Sequence, residues 1–117
     1  MNKVKIYLDD MRDTPEGWIR TYDYLSTISK LYETEGHCEI LSLDHDLGEP
    51  VFDICGTIIP EYTGYSVILF LEEMAYNDFW KIIPDKITVH SANPVGRAKM
   101  EAGIAAIEKL RNSQNRG

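Results

Sequence analysis

The alternation of apolar and polar residues predicts where the strands of this chain lie. Residues 3–9 alternate between the two classes, which is typical of a β-strand. The apolar runs 39–44 and 86–90 predict two further strands, and residues 18–21 predict a short one. The three longer runs each lead directly into a group of polar residues, which is the first indication of a functional site.

Three segments carry apolar residues at helical spacing, and each begins at a suitable residue. The first follows Asp23 and the last follows Asn93, both good N-cap residues. Pro94 then occupies the first helical position, where its missing N–H has no cost. Thr63 opens the middle helix, and the last helix is predicted to run roughly to Asn112.

Strands and helices therefore alternate along most of the chain. This order predicts a mostly parallel sheet with right-handed crossovers, and we draw its strands in the order 2-1-3-4. The polar ends of the first, third and fourth strands then meet at one edge. We expect one domain over residues 1–112, followed by a frayed tail, 113–117. The segment 47–62 has glycines, prolines and two short apolar runs, which indicates a hairpin or a lid.

Composition narrows the classes of function. The net charge of -7 argues against broad binding to a nucleic-acid backbone. Cys38 and Cys55 lack the spacing of metal ligands and are interpreted as ordinary thiols. The first residues lack the apolar run of a signal peptide, and no stretch is long enough to span a membrane. We therefore expect a cytoplasmic protein.

Four acidic residues follow the predicted strands. The candidate metal ligands are Asp9, Asp10, Asp44 and Asp46. In open parallel sheets, ligands bind outside the carboxyl ends of the strands. Four ionised carboxylates would repel one another there unless a cation lay among them, and oxygen ligands suit Mg²⁺ or Mn²⁺. The alternative is that these residues only cap turns in solvent.

Two histidines lie among the same polar residues. His45 and His90 are suited to acid–base catalysis, because an imidazole exchanges protons near neutral pH. The alternatives are a buried histidine bonded to an aspartate, or a metal ligand. His37 lies in a predicted turn and is interpreted as a surface residue.

The segment from Ser91 to Arg97 is the candidate phosphate site. It joins a strand end to a helix start, where backbone N–H groups and the helix dipole favour an anion. Ser91, Asn93 and Arg97 would contact the phosphate, together with Arg12 from the first polar group. Ser91 is in addition a candidate nucleophile. Alternatively, Asn93 only begins a helix, Arg97 is solvated, and Arg12 neutralises a nearby aspartate.

The chain resembles the receiver domains of response regulators over residues 18–92. Asp9-Asp10 resembles the receiver's acidic metal-binding pair. Asp44 falls at the phosphate-accepting aspartate, and Ser91 falls at the switch serine or threonine. The departures are the lack of a first crossover helix, of a fifth strand and of the receiver's lysine, together with the added residues His45, Asp46 and His90.

A longer set of motifs is similar to one family, the cyclic-phosphate-processing receiver domains of bacteria and phages. The motifs are Leu-Asp-Asp-Met-Arg (8–12), Ser-Leu-Asp-His-Asp-Leu-Gly (42–48), Thr-Gly-Tyr (63–65) and Val-His-Ser-Ala-Asn-Pro-Val-Gly-Arg-Ala-Lys-Met (89–100). The resemblance implies a minimal receiver-like (flavodoxin-like) α/β fold, a three-layer sandwich with about four strands.

The same resemblance implies metal-assisted processing of a cyclic phosphate. The protein would be a phosphoesterase with Asp44, Ser91 and the two histidines at its catalytic site, acting on a cyclic nucleotide or on a 2′,3′-cyclic phosphate at an RNA end. Two alternatives stay open. One is a module that binds or sequesters a phosphate ligand without turnover, and the other is an atypical phospho-receiver modified on Asp44. The histidines favour the enzyme over the phospho-receiver, but they do not exclude the binding module.

Overall fold

The computed structural model describes residues 3–45, 54–56 and 62–115. In chain order the elements are β1 (Val4–Leu8), β2 (Ile19–Thr21), α1 (Tyr24–Glu33), β3 (Cys38–Leu43), α2 (Gly64–Tyr76), a 3₁₀ turn (Trp80–Ile82), β4 (Lys86–Val89) and α3 (Pro94–Asn115). The predicted order of strands and helices is confirmed. Most of the predicted lid, 47–62, and the candidate ligand Asp46 lie outside the described residues.

The four strands form one parallel sheet in the order β2-β1-β3-β4, as predicted. Because side chains alternate along a strand, the register divides the sheet into two faces. The apolar face is formed by Ile6, Leu8, Ile19, Thr21, Leu41, Leu43, Ile87 and Val89. The polar face is formed by Lys5, Tyr7, Arg20, Ile40, Ser42, Lys86 and Thr88.

All three helices pack on the apolar face. Their buried side chains join the apolar face in a single core, to which the helices contribute Leu31, Val67, Ile68, Leu71, Ala75, Met100 and Ile107. α2 lies in the middle of the helical layer and contacts both α1 and α3. No described helix packs on the polar face. Of the three layers that the resemblance implies, the described residues therefore contain two.

The connection from β1 to β2 is a loop, as the departures from the receiver pattern predicted. It spans 9–18 and contains no helix, and no fifth strand occurs among the described residues. None of the described helices is long and apolar enough to cross a membrane. Cys38 is buried beside the core, and burial raises the pKa of its thiol to about 12, which suits an inert structural residue.

The last helix is longer than the sequence pattern predicts. α3 continues to Asn115, so residues 113–115 are helical rather than part of a tail. Two contacts with the preceding turns accompany this extension. Arg111 donates to the carbonyl oxygens of Pro84 and Asp85, and Gln114 donates to Asp78 Oδ1 at 2.7 Å. These contacts join residues far apart in sequence, which a local pattern does not report.

Gly64, the first residue of α2, lies against the end of β3. Its N–H donates to the carbonyl oxygen of His45 at 3.0 Å. A Cβ atom on Gly64 would lie 1.8 Å from the carbonyl oxygen of Asp44, so a larger residue does not fit without moving the backbone. The start of α2 therefore rests directly on the segment that carries Asp44 and His45.

We expect Gly64→Ala to lower the free energy of unfolding by about 2–3 kcal/mol, because the added methyl group forces backbone apart in a packed region. The matched control is Thr63→Ala, which removes the N-cap bond from the Tyr65 N–H to the Thr63 hydroxyl and should cost about 1 kcal/mol. Urea denaturation of both variants measures the difference. Equal stability of the two variants would contradict the close approach.

Candidate functional site

Three acidic side chains meet at the carboxyl edge of the sheet. Asp9 and Asp10 follow β1, and Asp44 follows β3, the neighbouring strand. One ligand atom from each of the three lies within 4.8 Å of the others. The backbone fixes this arrangement, because the Asp44 N–H donates to the Leu8 carbonyl oxygen at 3.0 Å and continues the ladder past the end of the strands.

Asp9 is the most constrained member of this acidic cluster. Its side chain is fully buried, and its Oδ1 accepts hydrogen bonds from the backbone N–H groups of Met11 at 2.8 Å and Arg12 at 2.9 Å. Burial acts to raise the pKa of Asp9, but these two bonds and His90 outweigh it, so the net pKa lies below the ordinary value. Asp9 is therefore a carboxylate at neutral pH.

Asp44 experiences the opposite balance. Burial and the negative charge of Asp9 raise the pKa of Asp44 above its ordinary value, although the His45 N–H donates to its Oδ1 at 2.9 Å. Crowded carboxylates of this kind are relieved by a bound cation. The three oxygen donors fit Mg²⁺ or Mn²⁺, with water completing the shell.

His90 has both ring nitrogens engaged. Nε2 lies 3.0 Å from Asp9 Oδ2, and Nδ1 lies 2.7 Å from the Ser42 hydroxyl. The imidazole also stacks on the Tyr7 ring, with 4.2 Å between centroids and 4° between planes. Burial lowers the pKa of His90, against the opposing influence of Asp9, so the ring is neutral. The neutral ring then donates from Nε2 to Asp9 and accepts at Nδ1 from Ser42.

Arg12 lies beside the same carboxylate. Its Nη1 donates to the His90 carbonyl oxygen at 2.6 Å, and its Nε is 3.9 Å from Asp9 Oδ2. The sequence allowed Arg12 either to neutralise an aspartate or to bind phosphate. The geometry places it against Asp9 and ties the loop after β1 to the end of β4. The side chain is about half exposed, so it has N–H donors left for a ligand.

His45 lies at the boundary between β3 and α3. A Cβ atom on Gly96 would lie 2.5 Å from its ring carbons Cγ and Cδ2, so the imidazole rests on the backbone of the first turn of α3. The residue next to it in the chain is Asp44, a member of the acidic cluster. His45 therefore connects that cluster with the candidate phosphate segment.

The candidate phosphate segment satisfies much of its own hydrogen bonding. The Asn93 N–H donates to the Ser91 hydroxyl at 3.1 Å, and Asn93 caps α3 by accepting from the N–H groups of Gly96 and Arg97. Pro94 has no N–H. The Arg97 guanidinium pairs with Glu101 at 2.8 Å along the helix surface. Phosphate binding by Ser91, Asn93 and Arg97 stays a prediction, and it would depend on side chains more than on backbone amides.

Two residues of the site were not singled out from the sequence, Ser42 and Tyr7. Both lie inside apolar strands, where a serine and a tyrosine have no evident chemical role. The signal that could have found them is the alternation of side chains along the strands. Tyr7 pairs with Ser42 in the register, and His90 lies two residues after Thr88 and so on the same face. A predicted register would have brought the three side chains together.

The comparisons with known proteins agree with the motifs. The sequence profile described as a cyclic-phosphate processing receiver domain matches residues 4–106, a range that includes the acidic cluster, both histidines and the start of α3. No curated protein and no solved structure matches the chain. The resemblance identified from the motifs is therefore confirmed.

We expect Asp10→Asn and Asp44→Asn each to weaken Mn²⁺ binding by at least tenfold, because each removes a charged oxygen ligand from the acidic cluster. The control is Asp13→Asn, which removes an exposed carboxylate of the same loop that is not part of the cluster. Isothermal calorimetry measures the affinities. If all three variants bind as the wild type does, the acidic cluster is not the metal site.

We expect Ser42→Ala to weaken Mn²⁺ binding about tenfold, because the second partner of His90 holds the ring against Asp9. Thr88→Ala, next to Ser42 on the polar face, is the control. The ¹⁵N chemical shift of His90 Nδ1 should move in Ser42→Ala alone, because this nitrogen loses the hydrogen bond from the Ser42 hydroxyl. An unchanged Nδ1 shift in that variant would assign Ser42 to packing only.

Proposed function

Because the chain belongs to the cyclic-phosphate processing receiver domain family, we propose that it is a metal-dependent phosphoesterase that opens a cyclic phosphate by hydrolysis. The observation that carries this proposal is the buried, ionised Asp9 within reach of Asp10 and Asp44 at the carboxyl edge of the sheet. A cyclic nucleotide and an RNA end both present the required group.

The metal ligands in this proposal are Asp9, Asp10 and Asp44, to which the sequence adds Asp46. A divalent ion held there would supply positive charge to the phosphoryl oxygens or lower the pKa of a bound water. The protein's own contribution is to hold the carboxylates in place. The two backbone bonds to Asp9 Oδ1 and the His90 bond to its Oδ2 do this before any ligand arrives.

The reaction needs two proton movements. Water adds to phosphorus, the bond from phosphorus to one sugar oxygen breaks, the water loses a proton, and the sugar oxygen gains one. The sequence divides these roles between His45 and His90. Because both nitrogens of His90 are bonded, to Asp9 and Ser42, we assign His90 to positioning. We assign one of the two proton transfers to His45 and the other to solvent water. The place of His45 between the acidic cluster and the start of α3 supports this assignment.

Two arginines are the candidate groups for the phosphate oxygens. Arg12 already lies at the site and uses one donor on the His90 carbonyl, which leaves others for an anion. Arg97 lies in the first turn of α3, and it would have to release its ion pair with Glu101 to bind the substrate. Because that pair is exposed, the exchange costs little.

Phosphorus NMR tests the proposal. The protein is prepared in a buffer that contains Mg²⁺ but no Mn²⁺. The substrate is a 2′,3′-cyclic nucleotide, a 3′,5′-cyclic nucleotide or a short RNA that ends in a cyclic phosphate. We expect the cyclic-phosphate resonance to convert to a monoester. Shifts without conversion would instead support the binding module, and unchanged resonances for every compound would contradict both functions.

We expect His45→Gln to lower the turnover number by a factor of about 10²–10⁴, the usual contribution of a general acid or base, while Mg²⁺ affinity stays unchanged. His37→Gln is the control, since His37 lies at the opposite, amino end of the sheet, where its carbonyl accepts from the Val4 N–H. Wild-type turnover in His45→Gln would remove His45 from the mechanism.

A further inference from the structure

We infer that the polar face of the sheet binds a single-stranded oligonucleotide whose phosphorylated end lies at the acidic cluster. This inference rests on the proposed function and names its substrate class, a nucleic-acid strand rather than a mononucleotide. Four observations support it: where the site opens, how the face is charged, which aromatic rings it presents, and what packs against it.

The site opens toward the polar face. Alternation along β1 places Asp9 on the same side as Lys5 and Tyr7, and alternation along β3 places Asp44 with Ser42. His90 contacts Tyr7 and Ser42 directly. A ligand with its terminal phosphate at the acidic cluster would therefore extend across this face, away from the helical layer.

The charges at the paired strand positions of this face are positive, although the protein is acidic. The chain has a net charge of -7, yet these positions carry Lys5, Arg20 and Lys86 and no acidic residue, and the carboxylates of Asp9 and Asp44 lie beyond the strand ends. Among the described residues, no carboxylate forms an ion pair with any of these three cations. Unpaired cations on an acidic protein indicate a polyanionic ligand confined to this surface.

Aromatic rings accompany two of the cations. The Lys5 ammonium lies 5.8 Å from the centre of the Trp18 ring, and that ring packs edge-on against Tyr7. The Arg20 guanidinium lies 4.7 Å from the centre of the Tyr22 ring, which is 57% exposed. Cations beside aromatic rings are the usual means by which proteins hold single strands, since the rings stack on bases and the cations follow phosphates.

Arg20 also connects this surface with the site, because its Nε donates to the Asp9 carbonyl oxygen at 3.2 Å. The face is four strands wide, about 14 Å at the usual strand spacing, which exceeds a single nucleotide. No described helix covers it, although the rings of Trp18 and His90 pack on Tyr7 at its centre. Lysine and serine are depleted at protein–protein interfaces, so a face with Lys5, Ser42 and Lys86 fits a nucleic-acid strand better than a protein partner.

The test is the affinity of labelled oligoribonucleotides of one, two, four and six nucleotides that end in a 3′-phosphate, measured by fluorescence anisotropy in Mg²⁺. We expect the affinity to rise about tenfold from one to four nucleotides. Three cations predict a slope of about -2 when the logarithm of the affinity is plotted against the logarithm of the salt concentration. Lys5→Gln should make this slope shallower by about 0.7. Lys109→Gln, an exposed change on α3, is the control.

Tyr22→Ala should weaken the binding of the four-nucleotide strand about tenfold and leave the mononucleotide unaffected, whereas Tyr22→Phe keeps the stacking ring and the affinity. The control is Tyr76→Ala, which removes a ring on the helical layer that is more exposed, at 76%. Equal affinity of the wild type for one and four nucleotides would overturn the inference. So would a wild-type dimer that Lys5→Gln converts to monomers, because the face would then bind a second copy.

Strand binding and cyclic-phosphate hydrolysis can fail independently. If cyclic mononucleotides are hydrolysed but length has no effect on affinity, the surface assignment is wrong and the phosphoesterase stands. If length-dependent binding is found without hydrolysis of any cyclic phosphate, the surface stands and the phosphoesterase is wrong.

Discussion

The buried carboxylate of Asp9 is the constraint on which the site depends. A charge without access to water is tolerated only where hydrogen bonds or opposite charges replace its hydration. Asp9 obtains these from the loop that follows it and from His90 at the end of β4. The same bonds set the shape of the loop that takes the place of a first crossover helix. The stability of the sheet edge and the placement of the acidic cluster therefore have one physical origin.

The two histidines have different environments, although the sequence presents them as a pair. His90 is held by an acidic residue, a hydroxyl and an aromatic ring, so its protonation is tied to the fold. His45 rests on the backbone of α3 at Gly96. Such a division is common around metals, where one imidazole orients a ligand and another exchanges protons with the substrate. It also explains why Ser42, a residue without chemistry of its own, lies next to the site.

The sequence predicted the helix starts and the acidic cluster, because these follow from local signals, and it predicted the sheet order from the alternation of strands and helices with right-handed crossovers. Asp23 and Thr63 cap helices through bonds within three residues, and Asp9, Asp10 and Asp44 simply follow strands. What it did not predict depends on side-chain geometry between distant elements. The bond between Ser42 and His90, and the contacts that extend α3 to Asn115, are of this kind. The amide groups that Asn93 occupies are a third example, since an N-cap and an anion site share one sequence pattern.

The bond between Asp9 and His90 joins residues 81 positions apart, from the first strand to the last. During folding, the first strand therefore carries a carboxylate whose last partner arrives only when the final strand joins the sheet. Until then, Asp9 has only the backbone N–H groups of its own loop as partners, so we expect closure of this sheet edge to be a late step with a high loop-closure cost. A chain that has not finished folding consequently lacks the assembled acidic cluster, which forms on completion of the fold rather than with any of its parts.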